Sequence, residues 1–252
     1  MPNLPMHIYL ANRVAQELDW GEIHDNLGDY LLGSTAPDIR AMTKWDRERT
    51  HFAPLSLEDV GTGTKRMFQL HPQLAEPRKL KSADRAFLIG YICHLTADEV
   101  WITTMYRPNF NETTNVAGSE LEGHIWDRAI QLDMDRTVLA RPSSLENISS
   151  IIAEGDPTVE LKFLEAKLLA EWRQWVSRFL SRDFSWERLK RALNRMYRDD
   201  DDVQQLVDNF LLNIESGLDD IYDKIPRATI QTYQDRVSTE SIRQIKEHLS
   251  ET

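Results

Sequence analysis

The chain has 252 residues, of which 41% are hydrophobic, and this is enough to bury one large core or two small ones. Ten glycines and ten prolines are too few for a fibrous or low-complexity protein, and the hydrophobic content is too high for a disordered one. With 41 acidic and 30 basic side chains the net charge is −11, which disfavours binding to nucleic acid polymers and to anionic lipid surfaces. A phosphate-bearing ligand would need locally positive charge, such as a bound metal.

The single cysteine, Cys93, excludes an internal disulfide and a cysteine-rich zinc site, and it fits a reducing compartment. The N-terminal stretch MPNLPMHIYLANRVAQELDW has neither the basic start nor the apolar run of a secretory signal. No stretch approaches the roughly 18 to 20 apolar residues of a membrane span. We therefore expect a soluble, cytoplasmic protein without a transmembrane segment, and the sequence leaves its oligomeric state open.

Helical periodicity dominates the chain and strand alternation is scarce, which predicts an all-α fold. A loop or broken helix is expected over 41–63. The helices predicted in chain order cover 6–19, 26–33, 82–106, 117–136, 168–180, 185–197, 202–223 and 236–249.

The C-terminal part differs from the rest in its histidine content. Residues 141–252 contain one histidine, His248, near the end of the chain, and the acidic run at 199–202 is best explained as the solvated start of a helix. We expect 1–140 to form a metal-binding helical core and 141–252 to form a helical extension packed on it, within one compact domain.

The stretch GYICHLTADEVW, at 90–101, places His94 and Asp98 four residues apart on an otherwise apolar helix. The spacing puts both side chains on one helix face. A carboxylate buried on such a face costs several kcal/mol unless it is paired, hydrogen-bonded or metal-bound. A hydrogen bond between the two residues would satisfy this requirement without any function, so the pair alone is weak evidence.

Three further residues of the N-terminal half strengthen the case for a metal. His7 lies in the first predicted helix, Asp38 in the turn STAPDIR, and His51 in RERTHF. Each has an ordinary interpretation as a core, turn or loop residue. Together with His94 and Asp98 they form a mixed nitrogen and oxygen set that suits zinc or another divalent first-row metal.

The order and local contexts of these residues resemble the zinc-dependent phospholipases C and the related S1/P1-type nucleases. The resemblance runs from about Pro5 to His124 and rests on His7, LGSTAPDIR, THF and GYICHLTADEVW. It implies a multi-helix bundle that binds one to three divalent ions, with zinc expected first and iron or manganese as alternatives.

Carried over to this sequence, the resemblance implies ligands for two ions. Asp38, His51, His94 and Asp98 would hold a central metal, and His7 would bind a neighbouring ion, sharing Asp98.

A further site of the family is expected to be altered or absent here. The family has another histidine soon after the aspartate and then an H-x3-E pair, whereas this chain has Thr104 near the first position and His124 followed by Asp127 and Arg128. Asp127 can reach the helix face of His124, so both remain weak candidate ligands. A purely structural His124 is the alternative.

The function implied is metal-dependent hydrolysis of a small phosphate ester by a phospholipase C-like phosphodiesterase or phosphatase, with a lipid headgroup ester as one possible substrate. Asp38 is the candidate catalytic carboxylate that activates water. Arg40 is the first candidate for a phosphate contact, and Arg47 and Arg49 are further ones.

Two alternatives stay open. One is a non-catalytic helical protein with a structural metal site, which would be coordinatively closed. The other is an HD-type metal-dependent phosphohydrolase, suggested by the dipeptide His24-Asp25.

Overall fold

The computed structural model describes residues 1–141, 147–197 and 200–249. These residues form helices joined by turns and contain no β-strand apart from an isolated bridge between Leu161 and Leu164, so the predicted all-α fold is confirmed. The α-helices are α1 (Leu4–Leu18), α2 (Gly21–Asp25), α3 (Leu27–Gly33), α4 (Arg40–Thr43), α5 (Arg47–His51), α6 (Thr62–Leu70), α7 (Ser82–Trp101), α8 (Arg107–Phe110), α9 (Glu120–Leu139), α10 (Ile148–Ala153), α11 (Ala166–Leu180), α12 (Glu187–Met196), α13 (Asp201–Leu212), α14 (Ile214–Lys224) and α15 (Arg227–Leu249). Short 3-10 helices cover Ala36–Ile39, Pro72–Ala75 and Pro77–Lys79, and a π-helical segment covers Ile102–Tyr106.

Most predicted helices have a counterpart, but three of their boundaries are wrong. The helix predicted over 236–249 begins nine residues earlier, at Arg227. The run that starts with α7 continues through the π-helical segment into α8, so it passes Pro108 instead of ending before it. Pro108 lies in the first turn of α8, where its missing N–H is not needed. The helix predicted over 202–223 is two helices that meet at Asn213.

The acidic run at 199–202 starts a helix, as predicted. Asp200 is the N-cap of α13, and its carboxylate accepts hydrogen bonds from the amides of Asp202 and Val203. Asp199 lies outside the described residues.

Helix α7 forms the centre of the structure. Nearly all of its residues are buried, which is typical of a helix that is apolar all round and enclosed by other elements. It contacts α1, α3, α6 and α15. Polar side chains on α7 are therefore held in the interior, and His94 and Asp98 are among them.

Two glycines bring the backbones of α3 and α7 into direct contact. A Cβ atom at Gly33 would overlap the carbonyl oxygen of Phe87, and one at Gly90 would overlap the carbonyl oxygen of Tyr30. Any larger residue at either position would push the helices apart. The close crossing fixes the position of the C-terminus of α3 along α7, next to the middle of that helix.

The C-terminal part shares an apolar core with the N-terminal part. Ile152, Trp172 and Val176 belong to the same buried cluster as residues of α1, α3 and α7. The indole Nε1 of Trp172 also donates a hydrogen bond to the hydroxyl of Thr35, 3.0 Å away. Helix α11 thus supports the turn that leads to Asp38, while the proposed boundary near residue 140 stays a prediction.

A buried carboxylate links α9 to the start of the chain. Asp135 is fully buried, and its Oδ2 accepts a hydrogen bond from the amide of Asn3 at 2.9 Å, while Oδ1 has no partner among the described residues. Burial raises the pKa of Asp135 to about 7. The ionised form of this group therefore destabilises the fold.

Every helix within the described ranges is too short or too polar to traverse a lipid bilayer.

The crossing of α3 and α7 predicts the effect of Gly90→Ala. We expect a loss of about 2 kcal/mol or more in the free energy of unfolding, because the added methyl group meets backbone that no side-chain rotation can move. Gly21→Ala is the matched control, since nothing lies within 4 Å of its Cβ position and the variant should be neutral or slightly more stable. Urea denaturation of both variants checks this, and equal stability would contradict the close contact.

Asp135→Asn should change how stability depends on pH. Because the pKa of Asp135 is higher in the folded chain than in the unfolded one, its contribution is fully present below about pH 4 and is lost as the pH rises toward 7. The variant should exceed the wild type in stability at pH 7 to 8, and the difference should shrink by up to about 1.4 kcal/mol per pH unit toward pH 4. Denaturation at several pH values tests this, and a difference independent of pH would refute it.

Candidate metal centre

Five side chains that the sequence singles out converge in the interior. Helix α1 supplies His7, α5 supplies His51, and α7 supplies His94 and Asp98, while the 3-10 turn between α3 and α4 supplies Asp38. The three histidines and Asp98 are each at most 2% exposed.

Asp98 lies at the centre of the cluster. Its Oδ1 is 3.4 Å from Nε2 of His7, and its Oδ2 is 3.2 Å from Nε2 of His51 and 3.9 Å from Nε2 of His94. Nε2 of His51 is also 3.8 Å from Oδ1 of Asp38. The rings of His7 and His94 are stacked with their centroids 3.7 Å apart.

The ligand atoms form two overlapping groups, in each of which one atom per residue lies within 4.8 Å of the others. The first group is His7, His94 and Asp98, and the second is Asp38, His51 and His94. His94 is common to both.

Hydrogen bonds at the far side of two imidazoles orient them toward the cluster. Nδ1 of His94 is 2.8 Å from the backbone carbonyl of Ser34, which can only accept, so Nδ1 carries the proton and Nε2 keeps its lone pair. Nδ1 of His51 is 3.0 Å from the hydroxyl of Thr50, whose own proton is directed to the carbonyl of Arg47 at 3.4 Å. Metal-binding histidines typically have such a partner on the second ring nitrogen.

The electrostatics of the cluster keep its ligands in the forms that bind metals. Burial alone would raise the pKa of Asp98, but the guanidinium of Arg47 and the imidazoles of His51 and His7 outweigh it and hold that pKa well below its usual value. Burial, reinforced by the neighbouring His7 ring, lowers the pKa of His94 well below its usual value. At neutral pH the cluster therefore contains an ionised carboxylate and a neutral imidazole of His94.

The buried polar atoms fit a bound cation. Nε2 of His7, His51 and His94 and Oδ1 of Asp98 are all buried without a hydrogen-bond partner among the described residues. Leaving several such atoms unsatisfied is costly, and all of them are electron-pair donors suited to a divalent first-row metal. The donor set thus matches the chemistry that the sequence predicts.

Asp38 is the one member of the set that reaches solvent. Its side chain is 34% exposed, whereas the other four members are almost completely enclosed. The cluster is therefore accessible from the side of Asp38.

The structure places other predicted site residues elsewhere. Nδ1 of His124 contacts the hydroxyl of Tyr197, and the carboxylate of Asp127 accepts hydrogen bonds from Nε1 of Trp101 at 3.0 Å and from the amide of Gln131 at 2.8 Å. Neither His124 nor Asp127 belongs to the two groups found in the described part of the chain. They line a separate cavity of about 190 Å³.

The dipeptide at 24–25 also lies outside the two groups, and Arg40 contacts the backbone after α4. Nε of Arg40 donates to the carbonyl of Trp45 at 3.3 Å and so closes the turn after α4. Nε2 of His24 is 3.2 Å from Asp19 on an exposed surface, away from the clustered ligands.

Two residues outside the predicted ligand set take part in the architecture of the site: Arg47, which the sequence offers only as a further candidate for a phosphate contact, and Glu99, which it does not single out. Arg47 donates from Nη2 to Oδ2 of Asp98 at 2.9 Å. The carboxylate of Glu99 accepts from the amides of Gly61 and Gly63, at 2.5 and 2.6 Å, and so attaches the start of α6 to α7. In the sequence, the one-turn spacing of Arg47 and His51 indicates that Arg47 lies near the site. The glycines of GTGT are only a weak indication of the contact with Glu99.

His94→Ala should remove the nitrogen that both groups share. We expect purified wild type to contain at least one equivalent of divalent metal per chain. The variant should bind the metal more than about 100-fold more weakly, because losing a ligand costs more affinity than losing a residue that hydrogen-bonds to a ligand, which costs roughly 10- to 100-fold. His24→Ala, which alters an exposed histidine, is the control and should retain the metal. Elemental analysis and chelator competition measure both, and equal affinities would contradict the assignment.

Comparison with known proteins supports this centre. Residues 6–118, somewhat less than half of the chain, match the family model described as zinc dependent phospholipase C. Neither the curated proteins nor the solved structures give a significant match. The matched segment contains all five clustered residues and ends before His124.

The family match and the convergent His and Asp groups together support a metal-dependent hydrolase that uses a divalent metal, with zinc as the ion named for the family. The resemblance found in the motifs is confirmed by the match. Over residues 6–118, the chain is thus similar to the zinc-dependent phospholipases C.

Proposed function

We propose that the protein hydrolyses a phosphate ester at the cluster of His7, Asp38, His51, His94 and Asp98. The observation that carries the proposal is the convergence of three imidazole Nε2 atoms on one buried carboxylate, with a second carboxylate at the solvent edge. A bound divalent metal would supply Lewis acidity toward a phosphoryl oxygen and lower the pKa of a bound water.

The residues of the chain have separate roles in this proposal. Asp38 lies where solvent reaches the cluster, so its carboxylate is the group that accepts the proton of the attacking water. The water oxygen bonds to phosphorus, the bond from phosphorus to the ester oxygen breaks, and that oxygen leaves as the alcohol after it takes up the proton that Asp38 accepted, directly or through solvent. His51 and His94 are oriented by their Nδ1 partners, and Asp98 stays ionised throughout.

The number of ions is limited by His94. Because Nδ1 of His94 binds the Ser34 carbonyl, its Nε2 offers one lone pair and can serve one ion. An ion that takes His94 together with Asp38 and His51 leaves His7 and Asp98 as the protein ligands for a second. We infer one tightly bound ion and a weaker second site.

A neighbouring cavity supports a substrate with an apolar part. Trp101 and Ile102 follow Asp98 by three and four residues, so they extend from the cluster by one helical turn. They line the cavity of about 190 Å³ together with Leu55, Tyr106 and Met196. Leu55 and Met196 are 58% and 48% exposed, which places apolar surface at its mouth. A phosphate ester of an apolar alcohol, such as a lipid, fits this arrangement.

A structural metal site is the competing function, and the burial of four of the five residues favours it. A structural site would be coordinatively closed, whereas a catalytic one keeps a position for water. Exposure of Asp38 supports the catalytic interpretation. Hydrolysis of chromogenic phosphomonoesters, phosphodiesters and a short-chain phospholipid by the zinc-loaded protein decides between them.

Asp38→Asn should abolish hydrolysis while leaving the fold intact. The amide keeps the size of the side chain but loses the basicity that activates water, and losing such a base typically reduces the rate by about 10² to 10⁴. Stability should change by about 0.5 kcal/mol or less, because the side chain lies at the surface of a turn. Asp25→Asn, an exposed acidic residue of α2 outside both groups, is the control.

The variants are compared by melting temperature, metal content and hydrolysis rate. Full activity of Asp38→Asn with its metal retained would exclude Asp38 as the base. A metal-loaded wild type that is inactive toward every ester would favour the structural site.

A further inference from the structure

Arg47 carries a guanidinium group into the candidate metal centre. It is the first residue of α5, one turn before His51, so both side chains lie on the same side of this short helix. Its Nη2 donates to Oδ2 of Asp98 at 2.9 Å, and the side chain is 11% exposed. A permanent positive charge is therefore held next to the carboxylate at the centre of the cluster.

Most of the hydrogen-bonding capacity of Arg47 is unused. A guanidinium has five N–H donors, and both Nε and Nη1 of Arg47 are buried without a partner among the described residues. Asp98 does not satisfy them, because its contact with Arg47 is made by Oδ2 to Nη2, while its Oδ1 lies 3.4 Å from Nε2 of His7. The unused donors of Arg47 thus have room for an acceptor that the described residues do not provide.

The guanidinium groups of the nearby Arg40 and Arg49 have contacts different from those of Arg47. Arg40 donates to the carbonyl of Trp45, and the guanidinium of Arg49 is stacked on the ring of Trp45, 3.6 Å from its centroid. Both contacts are made to Trp45 and not to the cluster. Although Arg47 and Arg49 are only two residues apart, Arg47 alone of the pair is bonded to Asp98.

We propose that Arg47 binds the phosphoryl group of the substrate, with Nη2 keeping Asp98 in place and one of the unpartnered nitrogens, Nη1 or Nε, donating to a non-bridging phosphoryl oxygen. This inference rests on the proposed function and assigns the phosphate contact to Arg47 in place of Arg40. A guanidinium matches phosphate in charge and in the geometry of paired donors. It also supplies the local positive charge that a chain with a net charge of −11 requires to bind an anion.

The competing role for Arg47 is to hold Asp98 and nothing more. In that case its replacement would weaken metal binding, yet the metal-loaded variant would bind phosphate as the wild type does. Phosphate affinity at saturating metal therefore separates the two roles.

The test uses Arg47→Gln, Arg47→Lys and the control Arg49→Gln in the full chain with zinc in slight excess. Binding of inorganic phosphate is measured by calorimetry, zinc content by elemental analysis, and KM and kcat with whichever ester the wild type hydrolyses. We expect Arg47→Gln to weaken phosphate binding roughly 10- to 100-fold and to raise KM, Arg47→Lys to retain part of the affinity, and Arg49→Gln to match the wild type.

Wild-type phosphate affinity in zinc-loaded Arg47→Gln would overturn the inference, as would a wild type that binds no phosphate. Loss of zinc from both Arg47 variants that excess zinc does not restore would assign Arg47 a structural role and would also overturn it. A wild type that binds phosphate through Arg47 but hydrolyses no ester would refute the proposed function and leave the role of Arg47 intact.

Discussion

The contact between the backbones of α3 and α7 determines where the ligands of the candidate centre lie. Because neither Gly33 nor Gly90 has a side chain, the last turn of α3 comes close enough for the carbonyl of Ser34 to accept the Nδ1 proton of His94. That single hydrogen bond fixes both the tautomer and the direction of the ring. The chain continues from Ser34 into the turn that carries Asp38, so one helix crossing positions ligands from two elements.

The cluster is also a balance of buried charges. A carboxylate with Arg47 on one side and three imidazoles around it remains ionised in the interior, and the neutral form of His94 avoids adding a second cation beside Arg47. Hydrogen-bonded buried ion pairs rarely add stability over an apolar core, because removing both ions from water is expensive. The presence of these residues is thus better explained by metal binding than by a contribution to the stability of the fold.

Much of the fold and part of the site can be predicted from local patterns. The spacing of His94 and Asp98 predicts a shared helix face, because helical periodicity depends only on residues a turn apart. Asp38 and His51 come close to these two residues through contacts between distant elements, which periodicity cannot predict. Here the prediction came from the resemblance of the motifs to a known family. The break at Asn213 and the passage of α7 beyond Pro108 depend on tertiary packing and a π-helical turn, which weaken sequence signals for helix ends. Arg47 could be named only as one of three candidate phosphate contacts, and its bond to Asp98 could not be predicted because α5 has five residues, too few to show an amphipathic period.

The hydrogen bond between Trp172 and Thr35 joins residues on either side of the end of the family match at residue 118. The same is true of the apolar core, in which residues of α10, α11 and α15 fill space between helices of the matched segment. The segment that the family model matches is therefore not a stretch that could be excised as a unit. If residues 6–118 were transplanted alone into another chain, the ligands would be present, but the apolar surface that α11 and α15 cover would be open to water.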